Sequence, residues 1–173
     1  MHAIDYALHH QLIWRQPDLS RVYTELCSDD QVLANLSFDV IGLFKSRCEG
    51  KTANGAWTFH RQGVFLSGYV VKEASSAQEV AVYRLSWLGG GGHVTFSGGL
   101  TYRWKHQDLL AQESSFILDE RKVMTVKMLN RPWQRPYRYE ASLELHQAGL
   151  PGEEVLILLG WYMKVLEASQ QLD

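Results

Sequence analysis

The chain has 173 residues, of which 46% are hydrophobic and 12% aromatic, and its formal net charge at pH 7 is -2. The length suits one folded domain with a substantial core, and the composition excludes a disordered chain. The balance of 17 basic and 19 acidic side chains gives no argument for nucleic-acid binding, although it leaves room for a local basic face. We therefore interpret residues 1–173 as a single domain that does not bind nucleic acid.

The N-terminal segment MHAIDYALHHQLIWRQ has neither a basic start nor a long apolar run. It does not have the pattern of a secretory signal peptide, and we interpret residues 1–11 as an N-terminal extension. Two cysteines, Cys27 and Cys48, and no CxxC motif follow. This usage favours reduced thiols in a cytoplasmic protein over a disulfide framework.

Strand patterns dominate from residue 12 to residue 147. The clearest is RYEASLELH, in which Tyr139, Ala141, Leu143 and Leu145 alternate with polar residues. Such period-2 alternation is typical of a strand with one buried and one solvated face. It recurs in QVLANLSF, HVTFS, TYRWK and KVMTVKM.

Turn signals separate these strands. Asn54-Gly55 is a strong hairpin signal, because both residue types tolerate positive φ. GGGG at 89–92 predicts a flexible loop, and NRPWQRP at 130–136 predicts another. Twelve strands are predicted, near residues 12–15, 21–26, 31–38, 45–53, 56–62, 64–72, 79–86, 93–97, 100–105, 113–118, 121–128 and 137–146.

Short strands at even spacing with no helix between them predict an antiparallel sandwich or barrel. A barrel is favoured, because twelve strands in one open sheet would leave edges exposed. A weak internal repeat is also present. RVYTELCSDDQVLANLSF, GYVVKEASSAQEVAVYRL and SFILDERKVMTVKML each consist of a strand, an acidic turn and a second strand, which indicates a repeated hairpin unit.

The C-terminal segment LPGEEVLILLGWYMKVLEASQQ has a different pattern. Between Val155 and Leu166, only Gly160 and Lys164 are not large and apolar. The segment is rich in good helix formers, and its two glutamates suit a first helical turn. A helix over 153–168 is predicted. The apolar run from Val155 to Leu166 is twelve residues long and contains a lysine. It is therefore too short for a membrane span, which needs about 20 apolar residues.

The polar positions of this helix form one narrow stripe. At about 100° per residue, Glu153, Gly160, Lys164 and Glu167 fall within roughly 60–70° of the helix circumference. A surface helix is usually apolar over a stripe little wider than about 100°, whereas this one is apolar over most of its circumference. We expect it to be surrounded by protein. A twelve-stranded barrel is wide and needs filling, so the helix is predicted to lie at its centre.

Several segments carry a resemblance to a known family: LLGWYMKVL, the hairpins VYTELCSDDQVLANL and FILDERKVMTVKM, and the run WTFHRQGVFLSGYVVKEASSAQEVAVYR. As a pattern over most of residues 12–168, the chain resembles the tubby C-terminal-like superfamily, which includes tubby proteins, phospholipid scramblases and plant LURP-one-related proteins. The resemblance implies a twelve-stranded barrel threaded by a hydrophobic C-terminal helix. It also implies contact with phosphoinositide or phospholipid through basic side chains on a barrel face, but no lipid-binding position can be carried over residue by residue.

Two groups of residues are the candidate binding surface. Lys45, Arg47 and Lys51 alternate along one predicted strand, where they suit either anionic lipid headgroups or a solvated outer face. Arg131, Trp133 and Arg135 lie in the proline-containing loop, where an aromatic among arginines suits a membrane or partner contact. Further basic residues on predicted strands are Arg61, Arg103 and Lys105.

We therefore expect a non-enzymatic, cytoplasmic binding module without a cofactor or metal. Its partner would be an anionic phospholipid, with peripheral membrane association, or a protein. The alternative is a lipocalin-like carrier of a small apolar ligand, which needs an open cavity. An enzyme using His60, His93 or Cys48 has only residue types in its favour, because the sequence contains no GxSxG, HExxH or zinc-ligand spacing.

Overall fold

A computed structural model of the chain describes residues 11–17, 23–29, 31–38, 48–62, 68–86, 91–108, 110–129 and 139–170. These residues form twelve antiparallel strands followed by one helix, α1 (Glu153–Gln170). The strands are β1 (Leu12–Arg15), β2 (Tyr23–Ser28), β3 (Gln31–Phe38), β4 (Cys48–Lys51), β5 (Ala56–Gln62), β6 (Gly68–Glu73), β7 (Glu79–Leu85), β8 (Gly91–Phe96), β9 (Thr101–His106), β10 (Glu113–Leu118), β11 (Arg121–Met128) and β12 (Glu140–Leu145).

The sheet is a closed barrel in which each strand pairs with its neighbours in sequence. Closure occurs between β1 and β12, where Trp14 is opposite Ala141, while on its other side Trp14 is opposite Leu26 of β2. The predicted antiparallel barrel is confirmed. Closure removes the two edges that an open twelve-stranded sheet would expose.

Three of the hairpins contain a β-bulge at the same relative place. The register shifts in β2–β3, β6–β7 and β10–β11, which are the three hairpins of the internal sequence repeat and recur at intervals of four strands. The unpaired residues are Leu33, Val80 and Val123, and all three side chains pack on the core. A bulge bends the strand and increases its twist, so these positions help the sheet to curve into a barrel.

Helix α1 lies inside the barrel. Trp161 stacks on Trp14 of β1, with ring centroids 5.5 Å apart. The next residue, Tyr162, contacts Phe59 and Tyr69 of β5 and β6, with ring centroids 5.3 and 5.2 Å apart. Since neighbouring helical residues point about 100° apart, contacts with these separate strands require a helix enclosed by the sheet.

The side of α1 that carries the polar stripe is buried as well. A Cβ added to Gly160 would lie 3.1 Å from the Phe116 ring and 3.3 Å from Val126, so the glycine allows close approach to β10 and β11. Lys164 is only 1% exposed. The predicted central helix is thus confirmed. Within the described part of the chain, no helix has the length and apolar character of a membrane span.

The glycine run differs from its prediction. Gly91 and Gly92, predicted to be in a flexible loop, are buried and begin β8. A Cβ on Gly92 would lie 2.3 Å from the Arg84 carbonyl oxygen, and one on Gly91 would lie 2.1 Å from that of Trp104. Gly91 also has φ +150, a conformation that L side chains rarely adopt. The glycines therefore allow close approach of three strands.

We expect Gly92→Ala to lower the free energy of unfolding by about 1–3 kcal/mol, the usual range for overpacking. The added methyl would also lie 2.7 Å from the Tyr83 ring, so both backbone and side chain must move. Urea denaturation measures the effect. The matched control is Gly98→Ala, because nothing lies within 4 Å of a Cβ added there; equal stability of the two variants would contradict the close approach.

Candidate anion-binding face of the barrel

Basic side chains line up across the outside of adjacent strands. Arg84 on β7 is directly opposite His93 on β8, and His93 is opposite Arg103 on β9. Their neighbours in sequence, Tyr83, Val94 and Trp104 among them, are buried in the core. Because strand residues alternate between the two faces, this row points away from the barrel interior.

The basic row continues onto β10 and β11. Arg103 is opposite Ile117, which is opposite Lys122 of β11. The outward-facing arginine, lysine and histidine side chains of β7–β11 are here called the basic face. They are Arg84, His93, Arg103, Lys105, Lys122 and Lys127.

Charge is unevenly distributed around the barrel. On β7–β11, the outward-facing arginines and lysines are accompanied by two outward-facing acids, Glu79 and Glu113. The outward-facing charged side chains of β12 and β1–β6 have the opposite balance and are Arg15, Lys51, Lys72, Glu25, Glu49, Glu140 and Glu144. A local excess of one sign produces a surface potential even when net charge is near zero.

Part of the basic face already has acidic partners. An Arg103 guanidinium nitrogen is 2.9 Å from a Glu120 carboxylate oxygen, and Lys122 Nζ is 3.8 Å from Glu113. Among the described residues, no carboxylate lies within ion-pair distance of Arg84, Lys105 or Lys127. Glu113 of β10 is nevertheless directly opposite Lys127 in the register, so Lys127 has a carboxylate nearby although not within ion-pair distance.

A shallow depression of about 210 Å³ lies at one edge of the basic face. Its lining includes Thr125 and His146. The Thr125 hydroxyl is 2.8 Å from His146 Nε2 and 2.9 Å from the hydroxyl of the buried Ser115. His146 Nδ1 lies 3.5 Å from a Glu144 oxygen. The rim carries two lysines and two glutamates, so this depression by itself does not select for anions.

Of the six site residues predicted from the sequence, the structure describes Lys51. Lys51 is exposed on β4, and its Nζ is 2.9 Å from a Glu49 oxygen. It lies outside the basic face, on the more acidic side of the barrel. Lys45 and Arg47, and likewise Arg131, Trp133 and Arg135, lie outside the described residues, and their roles stay predictions.

Sequence reasoning identified Arg103 and Lys105 but did not group them with Arg84, Lys122 and Lys127. The signal was present, because each of these residues has the opposite phase to buried neighbours such as Tyr83, Trp104 and Val126. A single segment does not show the pairing register between strands. That register decides which outward-facing residues of neighbouring strands lie side by side.

A second polar cluster is buried at one end of the barrel, where α1 meets the turn between β9 and β10. Lys164 Nζ donates to the Ala111 carbonyl and to the Ser114 hydroxyl, and it lies 3.5 Å from a Glu167 oxygen. His106 Nδ1 is 2.8 Å from the Ser114 hydroxyl. Burial lowers the pKa of Lys164, and the Glu167 carboxylate partly offsets this effect.

The remaining groups of this cluster hold Glu167 and the turn in place. Trp104 Nε1 donates to Glu167 Oε1 over 3.4 Å, and His106 Nε2 is 3.6 Å from the same oxygen. Although burial tends to raise the pKa of Asp108, hydrogen bonds from the backbone N–H groups of Glu113, Gln112 and Leu110 lower it overall. Within the described ranges, no group of three His, Cys, Asp or Glu side chains is arranged to hold a metal ion.

The fold and its surface thus define a closed antiparallel barrel with an internal helix and a basic outer face. No protein-family model, curated protein or solved structure matches the chain.

Proposed function

We propose that this chain is a non-enzymatic binding module whose basic face contacts anionic phospholipid headgroups. The observation that carries the proposal is the basic face on adjacent strands, of which Arg84, Lys105 and Lys127 have no carboxylate within ion-pair distance in the described part of the chain. Each lysine or arginine near an anionic membrane surface contributes about 1 kcal/mol of attraction. Peripheral association with the cytoplasmic side of a membrane follows.

The architecture agrees with the tubby-like resemblance, and we propose membership of that superfamily on the same grounds: a closed twelve-stranded barrel with a hydrophobic C-terminal helix at its centre. The internal helix also counts against a lipocalin-like carrier. Trp161, Tyr162 and the apolar run 156–159 occupy the barrel centre, where a carried ligand would bind.

A protein with an acidic surface is the second candidate partner. The basic face is the outer surface of adjacent barrel strands and carries exposed long side chains, which suits complementary charge on a partner protein as well as on a membrane. Lipid is favoured because the free cations are spread over a span of several strands rather than gathered round a pocket of selective shape. The lipid experiment below separates the two candidates.

Flotation with vesicles tests the lipid proposal. We expect the chain to float with phosphatidylserine-containing vesicles at low salt and not with pure phosphatidylcholine vesicles. Binding to the anionic vesicles should weaken strongly at 0.5 M salt, because the Debye length shortens to about 3–5 Å. Absence of any anionic preference at low salt would overturn the lipid proposal and leave a protein partner.

Two triple variants locate the contact. Replacing Arg84, Lys105 and Lys127 by glutamine should lower the partition coefficient about a hundredfold, since three contributions of about 1 kcal/mol add to about 3 kcal/mol. The matched control replaces Arg15, Lys51 and Lys72 by glutamine, with the same change in net charge on the other side of the barrel, and should cost less than about fivefold. Equal losses would show that net charge, not the basic face, drives binding.

A further inference from the structure

A buried hydrogen-bond chain joins α1 to the turn between β9 and β10, at a place that the proposed function does not use. It runs from Lys164 through Ser114 to His106, and it also includes the Ala111 carbonyl. Lys164 and Ser114 are 1% and 0% exposed, while the His106 side chain is 18% exposed. The chain is therefore shielded from solvent at Lys164 and Ser114, whereas Ala111 and His106 are partly exposed.

The donor and acceptor inventory sets the direction of this chain. An ammonium can only donate, so the Ser114 oxygen accepts from Lys164. Among the described residues, the one other group bonded to this hydroxyl is Nδ1 of His106, 2.8 Å away, so the single hydroxyl proton is assigned to that contact. In this assignment Nδ1 accepts, and the ring is the neutral tautomer with its proton on Nε2, which faces Glu167 Oε1 at 3.6 Å.

Protonation of His106 is incompatible with this arrangement. Nδ1 would become a donor opposite the Ser114 hydroxyl proton, and that proton would need another acceptor in a buried site. It would also place a second cation beside Lys164. We propose that His106 is a pH-sensitive latch, which holds the β9–β10 turn against α1 when the ring is neutral and releases it when the ring is protonated.

The charges around His106 decide whether the latch works. On α1, Glu167 favours the protonated ring and Lys164 disfavours it, and Asp108 of the β9–β10 turn favours protonation. On β10, the adjacent group is the uncharged Ser114. Burial has the largest effect, and together these contributions lower the pKa of His106 below its usual value of 6.5.

The sign of the pH dependence follows from this direction. With the turn released, His106 is hydrated and binds a proton near its ordinary pKa. With the turn latched, it binds a proton only at lower pH. Acid therefore favours release: the latch is fully effective above about pH 6.5 and weakens as the pH falls. The opening equilibrium rises about tenfold for each unit by which the latched state lowers the pKa. Release frees Lys164 of α1 from the Ala111 carbonyl of the turn.

Hydrogen exchange of the turn amides tests the latch in the unmodified chain. The amides of Leu110, Gln112 and Glu113 donate to Asp108, and that of Gln107 donates to the Glu113 carbonyl. After correction for the intrinsic pH dependence, we expect their exchange to be faster at pH 5.5 than at pH 7.5, by up to about tenfold, which is the limit set by an ordinary pKa of about 6.5 in the released turn. Amides of β2 and β3, on another side of the barrel, should not change.

Two variants separate the latch from other titrating groups. His106→Gln removes the ionisation, and its turn amides should differ less than twofold between the two pH values. His146→Gln is the matched control, because His146 also bonds a hydroxyl but on the outer face, and this variant should keep the full pH effect. An unchanged pH effect in His106→Gln would overturn the proposal.

The ring tautomer supplies a measurement that needs no variant. Nitrogen-15 chemical shifts of the histidine rings at pH 7.5 should show His106 protonated on Nε2 only. If the ring instead carries its proton on Nδ1 at that pH, the direction of the chain is wrong and the latch is refuted, even if His106→Gln fails to fold. The latch is independent of the lipid proposal, because none of these measurements involves a membrane.

Discussion

Leu159→Glu will prevent the chain from folding. Leu159 is 0% exposed at the centre of the barrel, in the middle of a run whose side chains reach the core on all sides. An isolated carboxylate placed there either stays charged without a partner or becomes neutral by taking up a proton, and both cost free energy. The variant also loses the packing contacts of the leucine side chain. Both costs together approach the whole stability of an ordinary domain, about 5–15 kcal/mol.

Far-UV circular dichroism and urea denaturation will measure this loss. We expect no cooperative unfolding transition in Leu159→Glu. The matched control is Leu110→Glu, since Leu110 is 58% exposed and the same chemical change at a solvated position should move the free energy of unfolding by less than about 0.5 kcal/mol. A cooperative transition of near-normal stability in Leu159→Glu would contradict the position of the helix inside the barrel.

Lys164→Leu will lower the free energy of unfolding by about 3–5 kcal/mol, the usual result of removing one partner of a buried ion pair. Because Lys164 is the single lysine in an apolar helix, one could expect leucine at this position to stabilise the fold. The structure predicts the opposite. The ammonium satisfies the Ala111 carbonyl and the Ser114 hydroxyl, and it is the cation beside Glu167 Oε2, a buried atom with no hydrogen-bond partner among the described residues.

A double variant shows how much of that loss comes from the remaining carboxylate. In Lys164→Leu with Glu167→Gln, the side-chain oxygen of residue 167 still accepts from Trp104 Nε1, but no uncompensated charge remains. We expect the double variant to recover about half of the loss, because replacing both partners of a buried pair costs much less than removing one. Urea denaturation of all four members of the cycle gives the coupling energy; stability of Lys164→Leu equal to that of the unmodified chain would refute the role of the lysine.

The buried lysine also shows where sequence reasoning reached its limit in the helix. The narrow stripe of Glu153, Gly160, Lys164 and Glu167 marks the polar positions, and the large apolar residues around it indicate a buried helix. Whether the stripe faces water or protein depends on what the sheet places beside it. Here β10 and the β9–β10 turn supply a hydroxyl and a carbonyl, so the lysine is buried and paired.

The basic face, too, was predictable from the sequence only in part. Alternation within each segment places Arg103 and Lys105 on outward-facing positions, and the same alternation applies to Arg84, His93 and Lys127. Only pairing between strands reveals that Arg84, His93 and Arg103 form one row. Lys51, which looks equivalent in sequence, instead lies beside Glu49 on the more acidic side of the barrel.

The sequence by itself determined the number and approximate position of the strands, the inward phase of most of them, the antiparallel barrel and its buried C-terminal helix. These features depend on side-chain chemistry within one segment: period-2 alternation, turn residues and a helix that is apolar over most of its circumference. The strand predicted at 45–53 is described only as Cys48–Lys51, but its place in the chain is as expected.

Only the tertiary structure decided the register, the three aligned bulges, the strand role of Gly91 and Gly92, and the partners of Lys164. Each of these depends on residues far apart in sequence that meet only after the barrel closes, such as Gly92 with the Arg84 carbonyl or Lys164 with Ser114. A shift of one residue in one pairing would exchange the two faces of a strand. The basic face is therefore a property of the closed sheet rather than of any one segment.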